Sequence, residues 1–318
     1  SAWLDPKEIR RTDRFSHYAI AAGKSAWEDA GAPEVPSERG GIVFGTGIGG
    51  IETLLVQHSV LLEKGPGRVS PFMVPALMAN AAAGHLAMKF GLTGPNYCTV
   101  SACASSNHAI GEGMRLIRDG YLDVCISGGS EAATLPLTVA AFAQMTALTK
   151  NPDPETASRP FDAKRSGFVL SEGAAALILE SEEHAKARGA RIYCEVAGYG
   201  MSDDAHHITA PDPKGSGAAL AMRWALADAG EEALQRLSDL PGGQRAVTAF
   251  NDLRNRVDEL SKKVRGIDAL EARRRAGEVV LQVDAEVLLV HRAATVPIPR
   301  RHRLPGWPTA AATSSGPS

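Results

Sequence analysis

A chain of 318 residues, of which 44% are hydrophobic, can bury a substantial core and lies near the upper limit for one domain. Its formal net charge of −2 gives no indication of binding to nucleic acid or to a membrane surface. The sequence has no apolar run long enough to span a bilayer, and its first residues lack the pattern of a secretory signal. We therefore expect a cytoplasmic protein.

Short runs rich in β-branched residues alternate with alanine-rich stretches of helical period, and this alternation predicts an α/β layered fold. Several of the helical stretches end at a glycine, which suits a left-handed helix cap. The predicted buried strands are residues 41–44, 97–101, 124–127 and 174–179, and the predicted helices are residues 16–29, 75–90, 105–119 and 217–229.

The character of the sequence changes near Gly230. Apolar residues between positions 250 and 267 recur in steps of three and four, which predicts an amphipathic helix over about residues 247–270. Fewer than three heptads are present, so a short coiled coil and a helix lying on the protein surface remain equally open. Residues 277–290 are strand-like, and the basic, proline- and serine-rich end to Ser318 has the composition of a disordered tail.

Four cysteines without metal-ligand spacing predict neither a metal site nor a disulfide scaffold. Cys98, Cys125 and Cys194 lie in apolar, strand-like runs and are predicted core residues. Cys103 instead follows a predicted strand, is flanked by alanines and immediately precedes a predicted helix. The helix N-terminus stabilises a thiolate there, and backbone N–H groups of the turn can form an oxyanion hole. From the residues alone, a nucleophile and a small core residue are both open for Cys103.

The segment around Cys103, residues 94–109, resembles the active-site region of β-ketoacyl-acyl carrier protein synthases, those of type II especially. The resemblance extends over roughly residues 1–230. Further blocks that resemble the family, in family order, are residues 3–8, 13–15, 45–50, 70–72, 127–132, 158–162, 167–169 and 207–212.

The resemblance implies a thiolase-like fold, in which two similar halves form an αβαβα layered body that usually dimerises with a second copy. It implies that Cys103 accepts an acyl group from acyl carrier protein or coenzyme A, and that its backbone N–H stabilises the oxyanion. Malonyl-carrier protein then loses carbon dioxide and attacks the acyl thioester. No cofactor and no metal is implied, and the implied partners are acyl and malonyl forms of acyl carrier protein.

The resemblance also divides the chain. Residues 1–157 are similar to the N-terminal half of the family without its first segment, residues 158–230 to the start of the C-terminal half, and residues 231–318 are an unmatched tail. The fold is therefore expected to be incomplete, with a helical and irregular C-terminal tail. The family's two catalytic histidines, in a His-Gly-Thr block and in a Gly-His block preceded by lysine, have no counterpart in this sequence. We expect acyl transfer but an incomplete condensation site.

Other candidate groups have structural interpretations. The glycines at positions 45, 47 and 50 formally match a dinucleotide-binding fingerprint, but the resemblance makes this loop structural. His108 is five residues beyond Cys103 and is predicted to point away from it. His206 and His207, beside Asp203 and Asp204, suggest a metal, but the resemblance places them in a surface loop. Phe161, Asp162, Arg165 and Glu172 are predicted to form a carboxylate–arginine brace instead of a catalytic cluster.

Three functions remain open. The first is a 3-oxoacyl-[acyl-carrier-protein] synthase of fatty-acid elongation, and the second is the ketosynthase subunit of an aromatic polyketide synthase. The third is a non-catalytic fragment or interaction protein that assembles through the 247–270 helix. The basic residues Lys64, Arg115 and Arg118 either meet an acidic carrier protein or form an ordinary solvated face.

Overall fold

The structure, a computed structural model, describes residues 4–160 and 162–238, with side chains up to residue 230. Its strands are β1 (Gly40–Gly45), β2 (Asn96–Tyr97), β3 (Val124–Glu131) and β4 (Gly173–Glu180). Its α-helices are α1 (Pro6–Arg11), α2 (Arg14–Asp29), α3 (Ile51–Lys64), α4 (Met73–Leu77), α5 (Ala81–Phe90), α6 (Ser105–Arg118), α7 (Pro136–Gln144), α8 (Pro154–Ala157), α9 (Glu182–Ala187) and α10 (Ser216–Ser238).

The four strands form one mixed sheet in the order β2-β1-β3-β4. Strand β1 runs parallel to β2 and to β3, whereas β4 runs antiparallel to β3. Ile126 lies opposite Ile42 on one side and opposite Ile178 on the other. All six residues of β1 and the first seven of β3 are buried, so these two strands form the centre of the sheet.

Helices cover both faces of the sheet. On one face, α2 and α5 pack against β1 and β3 around the fully buried side chains of Phe15, Phe44 and Leu86. On the other face, α6 packs against β1 and β3 around Val43 and Cys125. This α/β/α arrangement confirms the predicted layered fold. It also places the N-terminus of α6 at the ends of β1 and β3, where the candidate site lies.

Three of the predicted elements differ from the structure. The strand predicted over residues 97–101 stops at Tyr97, and β4 alternates between exposed and half-buried positions instead of being buried throughout. The helix predicted over residues 75–90 is divided between α4 and α5. The N–H of Gly50 donates to the carbonyl oxygen of Leu77, and Met78 is extended. A contact from a distant loop therefore ends the helix.

Residues up to 234 form one compact unit, and the last four described residues of α10 are assigned to a second unit. Helix α10 is interrupted at Gly230, where φ is 82° and ψ is 173°. No helix in the described part of the chain combines the length and apolarity needed to cross a membrane. The predicted 247–270 helix, the 277–290 strand and the disordered end lie outside the described residues, as does Phe161.

Candidate active site

Cys103 lies in a short 3-10 turn, Ala102–Ala104, and helix α6 begins at the following residue, Ser105. Residues 101–105 are called the nucleophile turn below. The Cys103 side chain is exposed, which excludes the alternative of a small core residue. The N-terminus of α6 has no side-chain cap, so its first N–H groups and the positive end of the helix dipole face this turn.

Ser105 closes the nucleophile turn with its side chain. Its Oγ accepts a hydrogen bond from the N–H of Ser101 at 2.9 Å and donates one to the carbonyl oxygen of Ala102 at 2.7 Å. Its own carbonyl oxygen accepts from the Thr99 hydroxyl at 2.8 Å. These bonds hold Ala102 at a φ of +49°, a left-handed conformation that costs a non-glycine residue about 1–2 kcal/mol. The turn is therefore constrained on both sides of Cys103.

The glycine loop, residues 45–50, packs directly against the nucleophile turn. A Cβ atom at Gly45 would lie 2.5 Å from the carbonyl carbon and oxygen of Ser105, so only glycine permits this approach. The N–H of Thr46 donates to the carbonyl oxygen of Thr99 at 3.2 Å. The loop and the residues that precede Cys103 thus form one hydrogen-bonded unit.

Glu131, the last residue of β3, fixes the glycine loop. Its carboxylate accepts the N–H of Gly47 at 2.7 Å and the hydroxyl of Thr46 at 3.2 Å. The Thr46 hydroxyl in turn accepts the N–H of Gly49, and the N–H of Gly50 is bound to Leu77. A dinucleotide site needs such amides free to meet phosphate oxygens. The engaged amides support the structural interpretation of this loop.

His108 does not point away from the turn, and that prediction is wrong. Its Nδ1 lies 2.6 Å from the Oγ of Ser101, two residues before Cys103. Side chains on an α-helix tilt toward its N-terminus, which brings a residue of the first turn back over the preceding loop. The imidazole ring also meets the ring of Tyr199 edge to face, with centroids 6.3 Å apart.

The other cysteines lie in three different environments. Cys125 is buried in β3 as predicted, and burial raises the pKa of its thiol to about 12. Cys98 is half-buried, and its thiol pKa is raised by burial and further by the Glu131 carboxylate. Cys194 is exposed, so its predicted core position is wrong: residues 190–201 follow the surface without regular structure. Of these three, only Cys194 is exposed as Cys103 is.

The polar loop near His206 uses its donors and acceptors internally. Asp204 accepts the N–H groups of His206 and Asp212, and His207 Nδ1 accepts those of Thr209 and Ala210. Among the described residues, no group of three His, Cys, Asp or Glu side chains is placed to hold a metal ion. The arrangement agrees with the surface-loop interpretation.

The predicted carboxylate–arginine brace forms with a different partner. The Glu172 carboxylate accepts two hydrogen bonds from Arg14 of α2, at 2.5 and 2.6 Å, and one from the N–H of Thr134. Arg165 instead donates to the carbonyl oxygen of Asp162 on the surface. Burial opposes the ionisation of Glu172, but the Arg14 and Thr134 hydrogen bonds outweigh it, so the pKa of this carboxyl is lowered.

Two of the three basic residues considered for carrier-protein binding have intramolecular partners. Arg115 pairs with Glu112, and Arg118 pairs with Asp228 at 2.9 Å. Lys64 at the end of α3 is exposed. The solvated-face interpretation therefore suits the two arginines better than carrier-protein recognition does.

The exposed Cys103, its strained turn and the supporting glycine loop all lie within the region that matches a known protein family. The family model described as "Beta-ketoacyl synthase, N-terminal domain" matches residues 2–185, more than half of the chain. The chain belongs to the beta-ketoacyl synthase family. The model described as "Beta-ketoacyl synthase, C-terminal domain" matches residues 193–235 of this beta-ketoacyl synthase chain.

Curated relatives of this beta-ketoacyl synthase chain include the 3-oxoacyl-[acyl-carrier-protein] synthase 2 of Synechocystis sp., 51% identical over 231 residues. The protein of the same name from Staphylococcus aureus is 48% identical over 231 residues. Each match covers 72% of this chain, and 56% and 57% of the respective relative. The chain therefore spans just over half the length of the curated relatives it matches.

Solved structures agree with the thiolase-like fold of the family. A beta-ketoacyl synthase from Burkholderia phymatum is 37% identical with a TM-score of 0.65, covering 72% of this chain and 56% of its own. The ishigamide ketosynthase/chain length factor is 36% identical with a TM-score of 0.65 and the same coverage. A type II polyketide ketosynthase in complex with its acyl-carrier protein is 32% identical with a TM-score of 0.60, covering 68% of this chain and 55% of its own.

Proposed function

We propose that this chain is part of a 3-oxoacyl-[acyl-carrier-protein] synthase of fatty-acid elongation and that Cys103 is its acyl-accepting nucleophile. The observation that supports this most directly is the exposed Cys103 thiol on a rigid turn at the uncapped N-terminus of α6. An exposed thiol in this position is accessible to a carrier-bound thioester.

The acylation step uses only groups of the nucleophile turn. The Cys103 thiolate attacks the carbonyl carbon of an acyl thioester, and the backbone N–H of Cys103 donates to the developing oxyanion. The tetrahedral intermediate collapses with cleavage of the bond to the carrier sulfur. The carrier leaves as a thiolate and takes up the proton that Cys103 lost, so the products are acyl-Cys103 and free carrier thiol.

Condensation with malonyl-carrier protein needs further groups. By family resemblance these are two histidines, and neither of their sequence blocks occurs in this chain. His108 is bound to Ser101 and does not replace them. We therefore propose that these residues suffice for acyl transfer and do not complete carbon–carbon bond formation.

The ketosynthase subunit of an aromatic polyketide synthase is the second candidate, because polyketide ketosynthases are among the solved neighbours at 32–36% identity. Fatty-acid elongation is favoured because the relatives at 48–51% identity are named 3-oxoacyl-[acyl-carrier-protein] synthase 2. The acyl carrier protein is the proposed partner in both cases, and a cytoplasmic homodimer is the proposed state.

An acyl-thioester probe with a mass tag tests this function, with labelled peptides mapped after digestion. Labelling at Cys103 that disappears in Cys103→Ser and persists in Cys194→Ser is the expected result. Cys194 is the matched control because it is also exposed but lies outside the nucleophile turn. A parallel assay with malonyl-carrier protein should yield no 3-oxoacyl product. Equal labelling of both cysteines, or no labelling, would contradict the acyl-transfer proposal and favour a non-catalytic interaction protein.

A further inference from the structure

The Ser101–His108 contact joins the nucleophile turn to the body of helix α6. Ser101 is held at its backbone, where its N–H donates to Ser105 Oγ at 2.9 Å, and at its side chain, where Oγ lies 2.6 Å from His108 Nδ1. Both contacts lie immediately before Ala102, the residue with positive φ, and Cys103 follows. Rotation of Ser101 would therefore reorient the peptide that leads into Cys103.

His108 is itself held in place by Tyr199. The ring of Tyr199 meets the imidazole at an angle of 76° and lies directly on Gly111, where any Cβ atom would collide with it. The guanidinium of Arg115 lies over the Tyr199 ring, 5.0 Å from its centroid. Positions 108, 111 and 115 share one face of α6, so the tyrosine covers the helix face that leads to the turn.

Tyr199 is anchored by a segment that belongs to the C-terminal domain match. Its N–H donates to Asp228 of α10 at 3.0 Å, and Asp228 pairs with Arg118 of α6. Gly198 packs so tightly on α10 that a Cβ atom would lie 2.6 Å from the backbone nitrogen of Ala229. The tyrosine is thus wedged between α10 and the helix that presents Cys103.

We propose that His108 is a positioning residue for Cys103, and that Tyr199 sets the orientation of the His108 ring. The inference rests on the proposed role of Cys103 as the acyl-accepting nucleophile. His108 acts through Ser101, which it holds and which fixes the direction of the Cys103 N–H toward the oxyanion. The docking of the C-terminal segment on α6 is therefore coupled to the geometry of the nucleophile turn.

A double-mutant cycle on Ser101 and His108 tests the first step. The measured quantity is the rate of Cys103 acylation by an acyl-N-acetylcysteamine thioester, divided by the rate at Cys194 in the same sample. Ser101→Ala and His108→Phe should each lower this ratio about ten- to hundredfold, because a misdirected oxyanion donor has effects of this size. The double variant should lose little more than either single variant.

Two further variants separate positioning from a general structural role. His108→Asn places an amide oxygen near the position of Nδ1 and should restore most of the acylation rate. His17→Phe is the control, because it removes a similar histidine–hydroxyl contact, His17 Nε2 to Thr12 Oγ1 at 2.8 Å, far from the turn in sequence. This variant should leave the acylation rate unchanged. Equal rates in all variants, additive losses in the double variant, or no rescue by asparagine would each overturn the proposal.

The role of Tyr199 is tested with Tyr199→Phe and Tyr199→Leu. The ring alone contacts His108, so phenylalanine should retain the rate and leucine should lower it. A wild-type rate of Cys103 acylation in the leucine variant would overturn the proposed coupling between Tyr199 and the nucleophile turn.

Amide hydrogen exchange at Ser101 measures the effect of His108 on the turn without requiring any reaction at Cys103. His108→Phe should accelerate exchange at the Ser101 N–H about tenfold, because its hydrogen bond to Ser105 then opens more often. Faster exchange without any wild-type acylation would refute the proposed function and keep the positioning role. Unchanged exchange would refute the positioning role whether or not Cys103 is acylated.

Discussion

The hydroxyl of Ser105 donates to the carbonyl oxygen of Ala102 at 2.7 Å. This hydrogen bond links the chain on either side of Cys103, the acyl-accepting residue of the proposed reaction. Ser105 is 3% exposed, although it is polar and begins a helix. A buried hydroxyl with both a donor and an acceptor partner stabilises one geometry, and its loss leaves the Ser101 N–H without its partner. The turn before α6 is therefore sensitive to single-atom changes.

Ser105→Ala is expected to lower the free energy of unfolding by about 1–3 kcal/mol, because the amide and carbonyl that it bound lose their partner. Cys103 acylation should slow more than the stability loss alone explains. Chemical denaturation and probe labelling measure the two effects. Ser59→Ala, which removes an exposed hydroxyl bound to Leu55, should change stability by less than about 0.5 kcal/mol. An equal loss in both variants would show that Ser105 has no special role.

Gly45→Ala is expected to destabilise the protein by at least about 2 kcal/mol, because the new Cβ would meet backbone atoms of Ser105 that cannot move aside. Gly84→Ala is the matched control: it lies in α5 with no atom within 4 Å of the added Cβ. That change should stabilise by about 0.5–1 kcal/mol through higher helix propensity. Thermal melts compare the two, and a stable Gly45→Ala protein would contradict the close approach.

Glu131→Gln is expected to lower the thiol pKa of Cys98, because the Glu131 carboxylate contributes to raising that pKa in the folded protein. The thiolate fraction of Cys98 at a given pH then increases, so the pH profile of its alkylation shifts toward lower pH. Mass spectrometry after timed alkylation gives the profile, with Cys194 as the internal reference. A Cys98 profile that stays in place would show that the charge of Glu131 does not reach this thiol.

The Glu172–Arg14 pair predicts a dependence of stability on pH. The pKa of Glu172 is lowered on folding, so its ionisation stabilises the protein above the unfolded pKa, and this contribution is lost as pH falls through the folded pKa. Glu172→Gln should lower the free energy of unfolding by about 1–2 kcal/mol at neutral pH, a value reduced for the partial exposure of Arg14.

The difference between wild type and Glu172→Gln should shrink below about pH 4, where the wild-type carboxyl also becomes neutral. Urea titrations across the acidic range measure it. A difference that is constant with pH would mean that the hydrogen-bond geometry, and not the charge, is responsible.

The central elements are predictable from the sequence because each has a long run or a continuous face of buried apolar side chains. Strands β1 and β3 are buried along nearly their whole length, and α6 has a continuous apolar face, so the hydrophobic pattern alone identifies them. The segment after Tyr97 was predicted as strand for the same reason. Its backbone groups instead bond to Thr46, which is distant in sequence, and to the Ser105 side chain in the following turn.

The errors at the site have different causes. The separation of His108 from Cys103 predicts that the two side chains point apart, but helical side chains tilt toward the N-terminus, and this tilt brings His108 to Ser101. The partner of Glu172 is 158 positions away along the chain, and no local pattern distinguishes Arg14 from Arg165. Cys103 itself was found because its strand–turn–helix setting is local. The assignment of its role and the domain boundaries at 157 and 230 stay predictions.

The hydrogen bonds that close the nucleophile turn all join residues between Thr46 and Glu131. During synthesis on a ribosome, this whole set of partners is added to the chain before strand β4 and helix α10. The reactive turn can therefore reach its shape early in the life of the chain, and Tyr199 arrives later to fix a geometry already present.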